Sequence, residues 1–233
     1  MKLKFGVITF PGSNCDDDVA YVLEKILEQR VIRLWHKDTN LKGIDGVILP
    51  GGFTYGDYLR AGALAKYSPI MQSVIRFAQN GGFVLGICNG FQILCEAGLL
   101  PGTLLPNDNR KFVCKNVYIK ADNKNSIITA LVDTNTPLKI PIAHSQGRYY
   151  ADGKTITIMR KNEQILFRYS DKYGNLSKKF NPNGSIENIA AICNKEKNVY
   201  GIMPHPERAA DDELGNTDGL YIFNSIIHSL SRR

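Results

Sequence analysis

The chain has 233 residues, of which 43% are hydrophobic, and this suits one large domain over residues 1–233 whose core needs no covalent cross-links. Five cysteines without regular spacing, and no Cys-x-x-Cys pair, argue against a disulfide framework and a structural zinc site. No apolar stretch is long enough to span a bilayer and the N-terminus lacks a secretory-signal pattern, so we expect a cytoplasmic protein.

The formal charge of +7 arises from 29 basic and 22 acidic side chains. The lysines are spread along the chain and form no long run, which favours a solvated basic surface over a nucleic-acid site. An acidic protein partner and a phosphorylated substrate nearby both fit this charge, and the charge alone does not choose between them.

The first half of the chain alternates strand and helix patterns. Strands are predicted at the apolar runs 5–10, 31–35, 46–49 and 83–85. Amphipathic helices are predicted at 16–27, at 69–79 and from 88 to about 97. Because strands that alternate with helices pair in parallel, this half predicts a parallel sheet with helices on both faces.

The second half has shorter and more polar segments. Beta-like runs occur at 113–119, 138–142, 155–159, 165–169, 189–193 and 199–202. The stretch 170–187 is polar and rich in Gly and Asn, so we expect loops there, and apolar residues at helical spacing over 220–230 predict a closing helix. These runs predict an antiparallel extension of the sheet and not a separate domain.

Cys88 carries the strongest functional signal in the chain. It lies in Gly86-Ile87-Cys88-Asn89-Gly90, directly after an apolar run, and Gly-x-Cys-x-Gly is the cysteine version of the nucleophile elbow. The glycines allow a sharp strand-to-helix turn, and the positive end of the helix dipole favours a thiolate. A lone cysteine after a strand is usually a small buried hydrophobe, but this pattern predicts an enzyme that forms a covalent intermediate on sulfur.

The candidate base lies in Met203-Pro204-His205-Pro206-Glu207. The two prolines are expected to keep the chain extended, and residues two apart in an extended segment point to the same side. Glu207 would then accept a hydrogen bond from one imidazole nitrogen and leave the other facing the sulfur. A His-x-Glu pair by itself is usually a surface turn, but the thiol and the imidazole–carboxylate pair each supply what the other lacks.

An acyl-transfer site also needs N–H donors for the oxyanion. We expect one from Asn89, the residue after the nucleophile, and a second from Gly52 in Pro50-Gly51-Gly52-Phe53, where glycine lets the backbone approach the substrate. Two alternatives for the Gly-Gly pair stay open. One is a phosphate cradle, although no complete phosphate-binding motif is present, and the other is a plain tight turn.

The motifs together resemble the class I glutamine amidotransferases. The segments that carry this resemblance are 86–92 (Gly-Ile-Cys-Asn-Gly-Phe-Gln), 50–53 and 204–207. Within that family, the segments 10–16, 52–63 and 205–209 resemble the glutaminase subunits of phosphoribosylformylglycinamidine synthase, an enzyme of de novo purine synthesis. The resemblance covers nearly the whole chain, is weakest over 170–187, and implies an open, mainly parallel, flavodoxin-like sheet.

The resemblance implies a reaction with glutamine. Cys88 would attack the side-chain amide to give a γ-glutamyl thioester and ammonia. His205 would take the thiol proton and give one to the departing ammonia, and Glu207 would orient His205. By analogy, the glutamine would be held by Gly51, Gln92, His144, Ser145 and Gln146, although His144 also suits a purely structural histidine.

The resemblance also implies partners. The ammonia would pass to a synthetase subunit that uses ATP and Mg to convert formylglycinamide ribonucleotide to the amidine, and a small third protein would bridge the two. No cofactor is expected in this chain. Because free ammonia is mostly protonated at neutral pH and lost to solvent, we expect weak glutaminase activity from the isolated chain.

Two other interpretations keep the fold and change the function. A cysteine hydrolase or chaperone-like protein of the intracellular protease type would share the elbow but lack the His-Pro-Glu segment near the C-terminus. A non-catalytic binding subunit would carry a vestigial elbow, and the complete set of Cys88, His205 and Glu207 argues against it.

Overall fold

The computed structural model describes residues 2–41 and 43–232. The strands in chain order are β1 (Lys4–Thr9), β2 (Arg30–Trp35), β3 (Gly46–Leu49), β4 (Phe83–Ile87), β5 (Thr103–Leu105), β6 (Val113–Ala121), β7 (Leu138–His144), β8 (Arg148–Tyr150), β9 (Ile165–Ser170), β10 (Ile189–Cys193) and β11 (Val199–Ile202). The helices are α1 (Asp16–Tyr21), α2 (Pro69–Gln79), α3 (Asn89–Glu96), α4 (Gly153–Lys161) and α5 (Leu220–Leu230).

Nine of the described strands form one sheet, in the order β2-β1-β3-β4-β11-β10-β9-β6-β7. The first five strands of that order pair in parallel, and the remaining pairings are antiparallel. Strands β5 and β8 form a separate antiparallel pair. The predicted α/β class, a mainly parallel open sheet flanked by helices with an antiparallel extension in the second half, is confirmed.

The central parallel strands are formed by continuous apolar runs of the sequence. Every residue of β3 and β4 is buried, as expected for strands covered on both faces. The register pairs Leu49 with Gly86 and Ile202 with Ile87. The carboxyl ends of β3, β4 and β11 are therefore neighbours at one edge of the sheet, where ligands bind in such folds.

The antiparallel extension returns to this same edge. Strand β7 is last in the sheet order, but its residue Pro141 accepts a hydrogen bond of 2.8 Å from the His205 N–H just beyond β11. The Ala143 carbonyl oxygen of β7 lies 3.8 Å from the Sγ of Cys88. The sheet thus curls so that its final strand covers the carboxyl ends of the parallel strands.

The strand predicted at 155–159 is wrong, because this segment lies in helix α4. Its run of Thr and Ile favours a strand by propensity. The Asp152 side chain, however, accepts hydrogen bonds from the N–H groups of Lys154 and Thr155 and caps the helix. Ile156 and Met159, three apart, are buried on one face of the helix, so capping and packing outweigh propensity.

Two further boundaries differ from the predictions. The helix predicted over 16–27 ends as an α-helix at Tyr21 and continues as a π-helical turn over Val22–Ile26, closed by a 2.9 Å hydrogen bond from the Leu27 N–H to the Val22 carbonyl. The segment 204–207 is not extended throughout, because Pro206 opens a 3₁₀ turn over Pro206–Ala209. Proline suits the first position of a helical turn since its φ is already helical.

No helix in the described ranges is long and apolar enough to cross a membrane.

Candidate active site

Cys88 occupies a strained strand-to-helix turn between β4 and α3. Its φ of 50° and ψ of −104° lie outside the regions that side chains favour, as at many functional positions. The backbone is held on both sides: the Cys88 N–H donates to the Ile202 carbonyl at 2.7 Å, and the Cys88 carbonyl accepts from the Gln92 N–H. A Cβ on Gly90 would lie 1.9 Å from the Leu49 carbonyl oxygen, so the elbow needs glycine there for close packing against β3.

His205 and Glu207 form a buried pair beside this elbow. The His205 Nδ1 and the Glu207 Oε1 lie 2.7 Å apart, and both side chains are buried. The Nε2 of His205 has no hydrogen-bond partner among the residues that the structure describes. The Cys88 side chain lies close enough to affect the pKa of His205, so the structure brings the carboxylate, the imidazole and the thiol near one another.

The surroundings of His205 favour its protonated form. Burial lowers the pKa of His205, but the Glu207 carboxylate and the Cys88 and Cys15 side chains outweigh burial and raise this pKa well above its ordinary value. The balance of these effects thus favours the imidazolium form of His205. A protonated imidazole beside the elbow is the form that can give a proton to a departing amine.

The predicted oxyanion loop, residues 50–53, is held in place by hydrogen bonds from the segment before α1. The Gly51 carbonyl accepts hydrogen bonds from the N–H groups of Asn14 and Cys15, at 3.5 and 3.2 Å. The N–H of Gly52 belongs to the same planar, trans peptide unit as that carbonyl and points the opposite way, away from these hydrogen bonds. Gly52 has a φ of +152°, and a Cβ there would lie 2.8 Å from the Ser13 Cα.

Asn89 ties the oxyanion loop to helix α3. Its side-chain oxygen accepts from the Thr54 N–H at 3.0 Å, and its amide nitrogen donates to the Gln92 Oε1 at 2.7 Å. Its own N–H lies in the first turn of α3, where N–H groups lack intrahelical acceptors. Asn89 thus offers a backbone donor at the elbow while its side chain fixes the loop that carries Gly52.

Two of the residues predicted to hold glutamine, Gly51 and Gln92, contact different neighbours beside the elbow. Gly51 packs against the imidazole, since a Cβ there would lie 2.6 Å from the His205 Cε1. The Gln92 amide is used within the protein and donates to the Gln146 carbonyl at 2.7 Å. Gln92 therefore positions the segment that contains Ser145 and Gln146.

His144 is a neutral histidine held on both ring nitrogens. Its Nδ1 lies 3.2 Å from the Asn107 Oδ1, and its Nε2 lies 3.5 Å from the Asn183 Nδ2. Burial, followed by the nearby charge of His205, lowers the pKa of His144 to about 4. His144 is thus uncharged at neutral pH, whereas the surroundings of His205 favour its protonated form.

Two buried asparagines that the sequence did not single out organise this side of the site. Asn107 accepts hydrogen bonds from His144 and from the Gly147 N–H, and donates to the His144 carbonyl. Asn183 donates to the Gly147 carbonyl at 2.8 Å. Both lie in irregular segments without periodicity, so no local pattern marks them.

Cys15 and Arg208 also lie at the site, and no spacing pattern in the sequence predicts this. The Arg208 Nη2 donates to the Cys15 Sγ at 3.2 Å. The Cys15 Sγ, a His205 nitrogen and a Glu207 oxygen lie within 4.8 Å of one another, a donor set of the kind that binds metals. The Cys15 sulfur already accepts a hydrogen bond from the Arg208 guanidinium, and His205 is already hydrogen-bonded to Glu207. The three residues therefore form a hydrogen-bonded cluster beside the positive charge of Arg208.

Comparison with known proteins finds relatives that are similar over nearly the whole chain. Residues 2–217 match the CobB/CobQ-like glutamine amidotransferase domain. A phosphoribosylformylglycinamidine synthase subunit PurQ from Koribacter versatilis is 50% identical over 99% of this chain and 100% of its own length. The PurQ subunit from Moorella thermoacetica is 54% identical over 97% of this chain and 95% of its own.

A solved structure resembles the whole chain. A chain of the structure described as PurLQS from Thermotoga maritima superposes with a TM-score of 0.87 at 39% identity, and covers 99% of this chain and 100% of that one. The similarity thus extends over both the parallel strands and the antiparallel extension.

Proposed function

Because the chain belongs to the CobB/CobQ-like glutamine amidotransferases and, within them, to the PurQ subunits of phosphoribosylformylglycinamidine synthase, we propose that it releases ammonia from glutamine for that enzyme. It is the glutaminase subunit, and the reaction belongs to de novo purine biosynthesis. The single observation that carries the chemistry is the buried His205–Glu207 pair beside the strained Cys88 elbow.

The covalent step uses the sulfur of Cys88. The thiolate attacks the side-chain amide carbon of glutamine, and the tetrahedral intermediate collapses to a γ-glutamyl thioester as the C–N bond breaks. The proton that leaves with ammonia comes from His205, whose surroundings favour its protonated form. Water gives a proton to the now neutral His205 and hydrolyses the thioester to glutamate, which restores the thiolate and the imidazolium. Glu207 holds the imidazole by its Nδ1.

The negative charge on the tetrahedral oxygen is stabilised by backbone N–H groups. Gly52 and Asn89 are the proposed donors, supported by the peptide orientation that the Cys15 and Asn14 N–H groups impose on the Gly51–Gly52 unit. The bound glutamine is positioned by Gly51 and by the segment Ser145–Gln146. Gln92 and His144 act on the substrate through that segment, which their hydrogen bonds hold in place.

The ammonia passes to a synthetase subunit, and a small subunit bridges the two proteins. The word "subunit" in the names of the relatives and the PurLQS structure support this assembly. Large apolar side chains are exposed beside the oxyanion loop, and such patches mark interaction sites: Phe53, Tyr58, Leu59 and Phe112. We place ATP and Mg on the synthetase and no cofactor on this chain.

We also propose a cytoplasmic location. All five cysteines are free thiols, and free thiols persist in reducing compartments.

A labelling experiment tests the chemistry. The protein is treated with a diazo-ketone analogue of glutamine, and the adduct is mapped by mass spectrometry. We expect labelling at Cys88 that glutamine blocks. Labelling at Cys15, at Cys95 or nowhere would instead favour a hydrolase of another type or a non-catalytic subunit.

A second experiment tests the dependence on the partner. Glutamine turnover is measured for the chain alone and after addition of the synthetase and the bridging subunit. We expect weak turnover alone and a large increase in the assembly, since ammonia made without the synthetase is lost to solvent and coupling the two activities avoids this loss. Full activity of the isolated chain would contradict this dependence.

A further inference from the structure

Cys15 is a buried thiol beside the base that the proposed chemistry does not use. Its Sγ lies within 4.8 Å of donor atoms of both His205 and Glu207. A Cβ built on Gly51 would lie 3.1 Å from this sulfur and 2.6 Å from the His205 Cε1. The thiol and the Cε1 edge of the imidazole therefore both lie against Gly51 in the oxyanion loop.

Arg208 holds the sulfur in this position. Its Nη2 donates to the Cys15 Sγ at 3.2 Å, and its Nε donates to the Asp18 Oδ2 at 3.1 Å. Arg208 follows Glu207 directly in the 3₁₀ turn, and Asp18 lies in the first turn of α1, which Cys15 precedes. The guanidinium thus ties the sulfur and the start of α1 to the turn that carries the base.

The backbone of Cys15 contacts the other half of the site. Its N–H donates to the Gly51 carbonyl at 3.2 Å, and its carbonyl accepts from the Val19 N–H at 3.1 Å. One residue therefore orients the oxyanion loop through its main chain and meets the base through its side chain. A substitution of the side chain leaves the main-chain contact in place, so the two roles can be separated.

We propose that Cys15 is a positioning residue of the glutaminase site, and that its sulfur, clamped by Arg208, holds the His205 imidazole between Glu207 and Cys88. This inference rests on the proposed glutamine chemistry. The Glu207 hydrogen bond fixes one nitrogen of the ring but leaves the ring free to tilt about that bond. The sulfur and Gly51 lie at the Cε1 edge of the ring and block this tilt.

The charged and titratable groups around the imidazole come from four elements. They are Glu207 and Arg208 from its own turn, Cys15 from the start of α1, Cys88 from the elbow and His144 from the end of β7. The Cys15 side chain is one of the neighbours that raise the pKa of His205. Its removal therefore changes the protonation of the base as well as its orientation.

The test compares Cys15→Ala and Cys15→Ser with the wild type in the assembly with the synthetase and the bridging subunit. For Cys15→Ala we expect kcat for glutamine to fall about ten-fold with KM within about two-fold, because a small misplacement of the base affects the chemical step. The alkaline limb of the kcat profile should move to lower pH. Cys15→Ser should keep kcat within about three-fold of wild type, since its hydroxyl still accepts from Arg208.

Cys193→Ala is the matched control, because Cys193 is equally buried but lies in β10. It should lower stability and leave the pH profile of the folded enzyme unchanged. A Cys15→Ala protein that also keeps the wild-type profile, and loses activity only in proportion to its unfolded fraction, would show a purely structural cysteine and overturn the proposal.

A double-mutant cycle tests the clamp. If Cys15 and Arg208 act as a unit, Cys15→Ala combined with Arg208→Gln should lose about as much kcat as the worse single variant. Additive losses would overturn the clamp. If the wild type turns over glutamine and is labelled at Cys88, but the Cys15 variants behave like the wild type, only this inference is overturned. If the wild type shows neither turnover nor labelling, both proposals are overturned.

Discussion

The parallel and antiparallel halves of the sheet reach the same site by different means. The parallel strands β3, β4 and β11 end side by side, and the proposed oxyanion loop, nucleophile and base lie just beyond their ends. The antiparallel half contributes through β7, which curls back to the elbow, and through buried asparagines that hold its last residues.

The parallel half thus carries the proposed catalytic residues, and the antiparallel half supports them. A parallel strand end places its following loop at a predictable edge, so short motifs there act locally. The antiparallel side relies on buried side-chain amides whose partners are tens of positions away, and these contacts set where the proposed glutamine-binding segment lies. Substitutions in the parallel half should therefore affect the rate, and those in the antiparallel half should affect stability first.

The largest effect is expected for Cys88→Ser. Loss of the thiolate should lower glutamine turnover in the assembly by at least about 10³-fold, because nucleophile and base act as a unit. Thermal unfolding should change little, since serine fits the same turn. Retention of turnover would mean that the parallel strand ends do not carry the nucleophile.

Gly52→Ala should lower kcat by about 10²-fold by displacing the proposed oxyanion donor. The new Cβ would lie within 3 Å of backbone atoms of Gly12, Ser13 and Asn14 at a φ of +152°. Gly215→Ala is the control, because Gly215 also has a positive φ (+68°) but has open space around it. Equal kcat losses in both variants would point to general backbone strain.

Asn107→Ala should destabilise the protein by about 3–4 kcal/mol, because it leaves several buried groups around His144 and Gly147 unpaired. Urea unfolding measures this loss, and turnover by the remaining folded protein should show a raised KM for glutamine. A loss of kcat with unchanged stability would contradict the division between the two halves.

His144 should make the fold sensitive to acid. Its pKa is about 4 in the folded protein against about 6.5 unfolded, so unfolding takes up a proton in this window. Stability attributable to His144 is intact above pH 6.5 and falls by at most roughly 3 kcal/mol as the pH drops to 4. The measurement is the urea-derived free energy of unfolding for the wild type and for His144→Gln between pH 7 and pH 4.

The variant should lack this component of the pH dependence. Burial raises the pKa of Asp57 to about 6, which changes stability in the opposite direction over the same range, but this carboxyl is present in both proteins and cancels in their difference. Parallel pH curves for the two proteins would mean that His144 is not held neutral by the fold.

The smallest effect is expected for Asp152→Ala. Removing the cap of α4 should cost about 1 kcal/mol, and glutamine turnover should stay at the wild-type level because α4 lies outside the site. A change in kcat would show that the extension is coupled to the chemistry more tightly than its position suggests.

The parallel half could be predicted well from the sequence. The strand predicted at 46–49 and the helix predicted at 69–79 match the structure, because continuous apolar runs and glycine stops are local signals. Prediction failed over 155–159, where the Asp152 cap and the buried Ile156 and Met159 outweighed β-branched propensity. It also missed Asn107, Asn183, Cys15 and Arg208, whose partners are distant in sequence.

The sequence by itself determined the sheet class, the elbow at Cys88 and the pairing of His205 with Glu207, because each depends on residues within a few positions of one another. Only the tertiary structure decided that β7 returns to the elbow and that Cys15 lies against the imidazole. Such contacts follow from how the sheet curls and which buried groups must find partners, and no short window of sequence contains that information.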